Sequence, residues 1–529
     1  MSATVTPQRQ AAILAAITLV VFWPTLSSGF VYDAKLQILT DPFLHDPGNW
    51  IDVLSFRVLA RDVLDFNRPI HLASLMLDAA IWGTEPFGYH LTSVVLHAAN
   101  ATLLWMVVRD LLAGAGGPSS RTGGPGLDPW RQFVALVSAA AFAVHPVVTE
   151  AVCEPTFRED LLVAAFTLGA VALAGRHPPA ARDPYRAAAC VGCCLAAVAS
   201  KESGVAAPLV VAAWWRLFRR AEPSGFWRVA VGGGLLAAAA FLAARFLLQP
   251  EASVIFGVGP TYPADGVWQT LTQIQPRILA LYAQLIVMPV NLCADYGLDS
   301  VRHLPLPVAG VVLAAVTGGL WLAVRCDRRV LFGVALAILP LVPVANLVPI
   351  YRAAADRYLY LPLAGVACMV ACLLESAGTR AGEPRRRAVA ACGLAVLVGL
   401  AAVNLRRQRV WADSLSLWQD THRRNPASFT AAHGSAAALR DAGDARLAEW
   451  FAREAIRLSG SARGDAWAEL ALTLDDQGRA READEALAEA VRIDERLADP
   501  DRRVEALALE RDEAEQLKAI LRRGGVRTP

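Results

Sequence analysis

The chain has 529 residues, is 55% hydrophobic and only 19% charged, and carries a formal net charge of +2. Soluble domains hold nearer a quarter charged residues, and the mean hydropathy here is +0.39. An ordinary soluble domain is excluded on the first count, and a nucleic-acid partner on the second, because so even a balance leaves no basic footprint.

The apolar residues gather into about eleven runs of membrane-crossing length. The first, Ala11–Ser28, follows Arg9 and has no small-residue cleavage site before Phe30-Val31-Tyr32-Asp33. It reads as a retained helix, not a removed leader. The next crossings are Gly88–Leu112, Phe133–Val148, Leu161–Gly175, Ala187–Ser200, Gly204–Phe218 and Val229–Leu248. Pro307–Val324, Leu331–Pro349, Leu359–Leu374 and Ala388–Asn404 complete the set. Two amphipathic segments, Arg68–Trp82 and Gln273–Met288, read as interfacial helices. Threaded this way, the arginine groups fall on one side: Arg9; Arg121 with Arg131; Arg176, Arg182 and Arg186; Arg216 to Arg228; Arg325 to Arg329; and Arg380 to Arg387. Short arginine-rich loops face the cytoplasm, so the N-terminus is expected inside and the tail outside a bacterial inner membrane. Counting Gln273–Met288 as a crossing would put Arg325 to Arg329 on the wrong side.

After Asn404 the composition shifts to Ala, Arg, Glu and Asp. Ala436, Gly443, Ala448 and Ala455 are matched by Ala471, Gly478, Ala483 and Ala490. A period of about 35 residues, with small residues at helix crossings and Gly at the turn, is similar to tetratricopeptide repeats. The expected organisation is a membrane domain over 1–405 and an α-helical repeat domain over 406–529, giving an all-α chain.

The ionisable residues opposite the arginines carry the functional signal, since charge at the hydrocarbon edge is costly unless paired or wet. Asp33, a few residues beyond the first helix, is placed to take a proton from an acceptor hydroxyl; a solvated or capping aspartate is the plain reading. His90, His97 and Asn100 recur on one face of the second crossing and are expected to line a cavity, as are His145, Glu150, Asp160 and Glu202. Arg158, Lys201 and Arg357, with Tyr358, are expected to bind a phosphate, because a guanidinium fork matches its oxygens. The plain reading of these cations is snorkelling or loop salt bridges. The nine cysteines are scattered without zinc-ligand spacing. No cofactor or metal is expected from the pattern.

Phe-Val-Tyr-Asp at 30–33, Arg-Pro at 68–69, Gly-Tyr-His at 88–90 and Val-His-Pro with Thr-Glu-Ala-Val at 144–152 occur in that order. Arg-x-Asp-Leu at 158–161, Ser-Lys-Glu at 200–202 and Arg-Tyr-Leu-Tyr-Leu-Pro at 357–362 follow. Together these resemble the transmembrane-and-tetratricopeptide-repeat (TMTC-type) proteins, GT-C glycosyltransferases whose eukaryotic members are O-mannosyltransferases. The resemblance implies a catalytic aspartate in the first outer loop, matched by Asp33, and a polyprenyl-phosphate-linked sugar as donor. It implies transfer to a protein or glycan hydroxyl, with the repeat tail holding a protein acceptor. Where the family has an Asp-Asp pair, this chain has Asp33-Ala34, and Ser93 stands where an Asn often follows the His. Ala34 favours an alternative, a membrane-anchored scaffold whose working part is the repeat tail.

Overall fold

The computed structural model describes residues 6–61, 63–113, 127–175, 183–220, 224–248, 266–297, 301–347, 352–380, 382–498 and 511–524. Arg121, Arg176 and Arg182 lie outside the described residues. No strand occurs among those described, so the fold is all-α. We number the helices of eight residues or more. The first ten are α1 Pro7–Val21, α2 Pro69–Trp82, α3 Pro86–Ala113, α4 Pro129–Val144, α5 Arg158–Gly175, α6 Pro184–Ser200, α7 Ala206–Trp214, α8 Gly234–Leu248, α9 Gln275–Val287 and α10 Leu306–Cys326. The rest are α11 Val330–Ile338, α12 Tyr360–Thr379, α13 Glu383–Val410, α14 Ser414–Arg424, α15 Phe429–Asp441, α16 Ala445–Leu458, α17 Gly464–Asp476, α18 Ala480–Ile493 and α19 Arg511–Arg523.

Helix starts are written into the sequence. Asp128 and Asp183 accept hydrogen bonds from the first backbone amides of α4 and α6, and a proline follows each. An acidic cap and a proline at the first position remove the orphan donors of a helix start.

Among the described residues five helices are long and apolar enough to cross a membrane: α3, Gly225–Leu248, α10, Asp356–Thr379 and α13. The pair Pro129–Val144 and Pro146–Cys153, bent by 47°, adds a sixth if taken as one span. α10 and α13 are almost wholly uncovered by protein, with Val311 70% and Val398 71% exposed. Apolar faces of that extent need lipid around them, so the chain is an integral membrane protein. Several of the expected crossings are shorter than their apolar runs. The Leu331–Pro349 run is helical only to Ile338 before a 3-10 turn at Pro340, and the Ala11–Ser28 run stops at Val21 before a 3-10 turn with Pro24. Proline lacks the N–H and crowds the preceding turn. Hydropathy counts the run, and the proline shortens the helix.

The segment between α1 and α2 builds its own small core over α2, including Phe30, Ala34, Ile38, Phe43, Val58, Leu72 and Tyr89. At the C-terminal end, α13 continues to Val410, through the expected boundary at 405. Beyond it α15–α16 and α17–α18 form two helical hairpins with a common core. The matched small residues Ala436, Ala448, Ala455, Ala471, Ala483 and Ala490 are all fully buried. Gly443 (φ 80°) and Gly478 (φ 72°) turn the chain between paired helices, a backbone conformation that glycine adopts without penalty. α14 ties the hairpins to the membrane part: Asn425 Nδ2 donates to the Asp295 carbonyl at 2.9 Å and Ser428 Oγ to the Asp295 carboxylate at 2.6 Å.

Candidate active site

The bundle has two charged ends. At one, α4 begins, α11 begins and α12 finishes. There Glu375 receives Arg131 at 2.9 Å and Arg329 at 2.6 Å, and Arg329 also meets Asp327 at 2.6 Å. At the other, α1, α4 and α6 finish and α2, α5 and α12 begin. That end collects Asp33, Asp65, Arg68, Glu150, Glu159, Asp160, Lys201, Glu202, Arg352 and Arg357.

Asp33 follows Tyr32, whose φ of 53° is left-handed, an uncommon and costly state for an aromatic residue. The Tyr32 ring is stacked on Trp418 of α14 (5.1 Å, 26°), meets Phe157 edge-on at 5.5 Å, and has the Arg352 guanidinium 5.5 Å from its centre. A π-helical turn, Lys35–Thr40, follows. The Asp33 residue is exposed to water although much protein lies around its carboxyl. Burial raises its pKa to about 6 against the pull of Arg357 and Arg352. Because the carboxyl keeps contact with water, about 6 is a ceiling.

The cations around it are held by carboxylates. Arg357 is paired with Glu150, which also accepts its backbone N–H at 3.0 Å, and its guanidinium lies 3.9 Å over the Phe157 ring. Lys201 Nζ meets Asp160 at 2.6 Å and Glu159 at 2.9 Å, and sits 5.3 Å from the Tyr358 ring. Glu202 receives Asn67 Nδ2 at 2.7 Å, Arg245 at 2.9 Å and Arg68 at 3.3 Å. Burial pushes the Glu202 carboxyl up, but Arg68 and Arg245 outweigh it and hold it at about 2. Beside Lys201 a recess runs from Asp160, Ser203 and Tyr358 to Val163, Pro340, Val344, Leu361 and Pro362. One end is polar and the other apolar, and the opening is about 10 Å³, room for about one water molecule.

Four of the expected residues are placed elsewhere. Arg158 is fully buried, with its nitrogens spent on Asp78 (2.6 Å), Ser74 Oγ (2.9 Å), Ser93 Oγ (3.2 Å) and the Tyr89 carbonyl (2.8 Å). It ties α2, α3 and α5 together and has no free edge for a phosphate. His97 is also fully buried, hydrogen-bonded to Tyr360 Oη at 2.6 Å and the Ala143 carbonyl at 2.9 Å, so it packs three helices instead of lining a cavity. His90 faces the Gly29 carbonyl at 3.4 Å, and His145 caps the turn at 146–148 and meets the Ile286 carbonyl at 3.0 Å. Each histidine serves backbone carbonyls contributed by distant segments.

The structure also brings in residues that the motifs did not single out: Asp65, His71, Glu154, Glu159 and Arg352. Ala34 is fully buried in an apolar cluster, where a second aspartate would have no room to stay wet. Its amide lies against the carboxylate of Glu154. Glu154 is fully buried, accepts from Thr156 Oγ1 at 2.7 Å, and keeps Oε2 without a hydrogen bond. A glutamate directly after Thr-Glu-Ala-Val-Cys was the available signal.

The chain is similar in sequence to curated protein O-mannosyl-transferases. It is 24% identical over 433 residues to F38B6.6 of Caenorhabditis elegans, covering 78% of this chain and 57% of that one. Against Tmtc3 of Drosophila melanogaster it is 24% identical over 482 residues, with 80% and 51% covered. A shorter match, to Drosophila Tmtc1, is 32% identical over 168 residues, covering 30% and 18%. The TMTC-type resemblance carried by the motifs therefore holds over most of the chain, which spans about half the length of the curated relatives it matches. Among solved structures, ArnT from Cupriavidus metallidurans in the apo state gives a TM-score of 0.42 at 15% identity, covering 93% of this chain and 78% of that one. Its undecaprenyl-phosphate-bound form gives 0.43 at 16%, with 90% and 79% covered. No family model matches the chain.

Proposed function

We propose that this chain is an integral membrane glycosyltransferase that moves a sugar from a polyprenyl-phosphate-linked donor to an acceptor hydroxyl on the outer face. The observation that carries the reading is Asp33: among the carboxylates at this end of the bundle it is the water-exposed one, facing Arg357 and Arg352 from a strained, aromatic-clamped turn. A base must be reachable by its substrate, and a group titrating near the working pH moves protons most effectively.

In this reading the donor's phosphate lies toward Lys201, Arg357 and Tyr358, and the apolar side chains of Pro340, Val344 and Leu361 part to admit its prenyl chain. Asp33 takes the acceptor hydroxyl's proton as the oxygen attacks the anomeric carbon. The bond from that carbon to the phosphate oxygen breaks, the configuration inverts, and polyprenyl phosphate leaves with its charge met by the cations. Glu154, fully buried against the Ala34 amide, helps to hold the Asp33 turn and does not touch substrate. The similarity to protein O-mannosyl-transferases supports a protein hydroxyl as acceptor and a mannose-type sugar. The repeat tail, docked through α14 beside the Asp33 turn, is suited to present that acceptor. Membranes carrying Asp33→Asn should lose transfer from a polyprenyl-phosphate sugar to protein while wild-type membranes retain it; undiminished transfer removes Asp33 from the chemistry.

The buried Ala34 favours a second reading, a scaffold acting through the tail. If residues 406–529 tethered by an unrelated membrane helix restore a deletion phenotype, that reading stands and the enzyme reading falls.

A further inference from the structure

Arg68-Pro69 opens α2, and the turn before it brings a side-chain cluster against the start of α5. Asp65 adopts a left-handed φ of 52°, His71 sits in the first turn of α2, and Glu159 in the first turn of α5. One ligand atom from each lies within 4.8 Å of the others. His71 is fully buried, and neither ring nitrogen has a hydrogen-bond partner. A buried polar atom left unpaired is costly, so two on one ring mark a missing partner. Nε2 faces Asp65 Oδ2 across 3.8 Å, close to the separation of two ligands that each stand about 2.1 Å from one metal ion.

Other contacts bound the site. Gln37 Nε2 donates to Asp65 Oδ2 at 3.0 Å. Arg68 reaches Asp65 Oδ1 at 2.8 Å and Glu159 Oε2 at 2.5 Å, and Lys201 reaches Glu159 Oε1 at 2.9 Å. Each carboxylate oxygen keeps a second lone pair, so an ion can share these acids with the cations. Counting Arg158 and its partner Asp78, the surrounding acids Asp65, Asp78, Glu159, Asp160 and Glu202 outnumber Arg68, Arg158, Lys201 and Arg245 by one, which leaves room for further positive charge. Asp65 is partly exposed and gives a way in.

We propose that Asp65, His71 and Glu159 form a binding site for a divalent transition-metal ion of the manganese or zinc class. One imidazole with two carboxylates suits these ions, whereas magnesium prefers oxygen ligands alone. Through Glu159 the ion also fixes Lys201.

The test uses the full chain in detergent, stripped with a chelator and titrated with Mn²⁺ alone, so that its outcome is independent of any transfer assay. Wild-type protein should retain one equivalent that Zn²⁺ displaces and Mg²⁺ does not. His71→Gln and Asp65→Asn should each weaken binding more than about tenfold, while the exposed tail control Glu485→Gln binds as wild type. Electron-spin-echo spectra of the loaded wild type should show ¹⁴N coupling from a coordinated imidazole, a readout that needs no variant to fold. No retained Mn²⁺, binding unaltered by His71→Gln, or a loaded protein without ¹⁴N coupling overturns the site.

Discussion

Both ends of the helix bundle bury ion pairs, and they bury them differently. At the end holding Arg131, Arg329, Asp327 and Glu375, both oxygens of each carboxylate receive a donor, and Ser376 adds another at 2.9 Å from Asp327, with Arg329 Nη1 left without a partner. At the Asp33 end, Glu154 Oε2, Asp356 Oδ2, both His71 nitrogens and Arg357 Nε have no hydrogen-bond partner, and one acid stands open to water. Buried ion pairs alone therefore mark nothing, because a closed network is a structural tie whose desolvation cost is met by its own partners. Incomplete satisfaction beside an accessible titrating group is what separates a site from a clasp.

Substitutions at the two ends should part accordingly. Asp33→Asn keeps shape and removes the base, and we expect transfer to fall by about 10²–10⁴-fold with the protein still folded, read as turnover per monodisperse molecule. Arg357→Lys keeps the charge and loses the fork; removing one such donor costs about 10²-fold in rate. Glu375→Gln at the closed end should instead lower stability by about 3–5 kcal/mol, the cost of breaking a buried pair, with turnover per folded molecule unchanged. A Glu375→Gln enzyme that melts normally but transfers poorly would erase the contrast.

The pH dependence sharpens it further. The deprotonated Asp33 carboxylate is the working form, so transfer should be flat above its titration point and fall about tenfold per pH unit below about 6. The same raised affinity has a stability sign. The folded chain holds this proton more tightly than the unfolded chain, so ionising Asp33 costs stability as pH rises from the ordinary carboxylate range to about 6, and the cost is constant above that. Asp33→Asn should therefore raise the melting temperature at neutral pH and leave it unchanged near pH 4. An unchanged melting temperature at neutral pH would place the carboxyl in bulk-like water.

Much of this contrast was legible in the sequence. Positive loops sorted the arginines, and the ordered motifs named Asp33, Lys201, Glu202 and Arg357, because a short motif at a helix end stays at that end when the chain folds. Arg158 was misplaced for the opposite reason: its partners Asp78, Ser74, Ser93 and Tyr89 come from two other helices, and no local pattern encodes their approach. His90 and His97 were misplaced likewise, since their bonds run to backbone carbonyls that carry no side-chain signature. Asp65, His71 and Glu154 were missed because a lone acid or imidazole acquires meaning only from what tertiary packing sets against it. Helix length was overestimated at the first and ninth expected crossings, because hydropathy adds up through Pro24 and Pro340 while the helix does not.

The smallest expected effect concerns the join between the two parts of the chain. Tyr32 holds its left-handed turn between Phe157 of the membrane part and Trp418 of the tail, and Gly434 lies so close to the Trp418 ring that a β-carbon there would come within 2.5 Å of it. The indole is thus fixed by the first helical hairpin and in turn fixes the residue before Asp33. An aromatic pair of this kind contributes about 0.5–1.5 kcal/mol beyond its area. Spent on orienting Asp33, that energy corresponds to a loss of up to about tenfold in turnover for Trp418→Ala, with Trp418→Phe retaining most of it. If the tail merely tethers an acceptor, Trp418→Ala should instead raise the acceptor KM and leave turnover at saturation intact. Those two outcomes distinguish a tail that positions the catalytic turn from one that only delivers substrate to it.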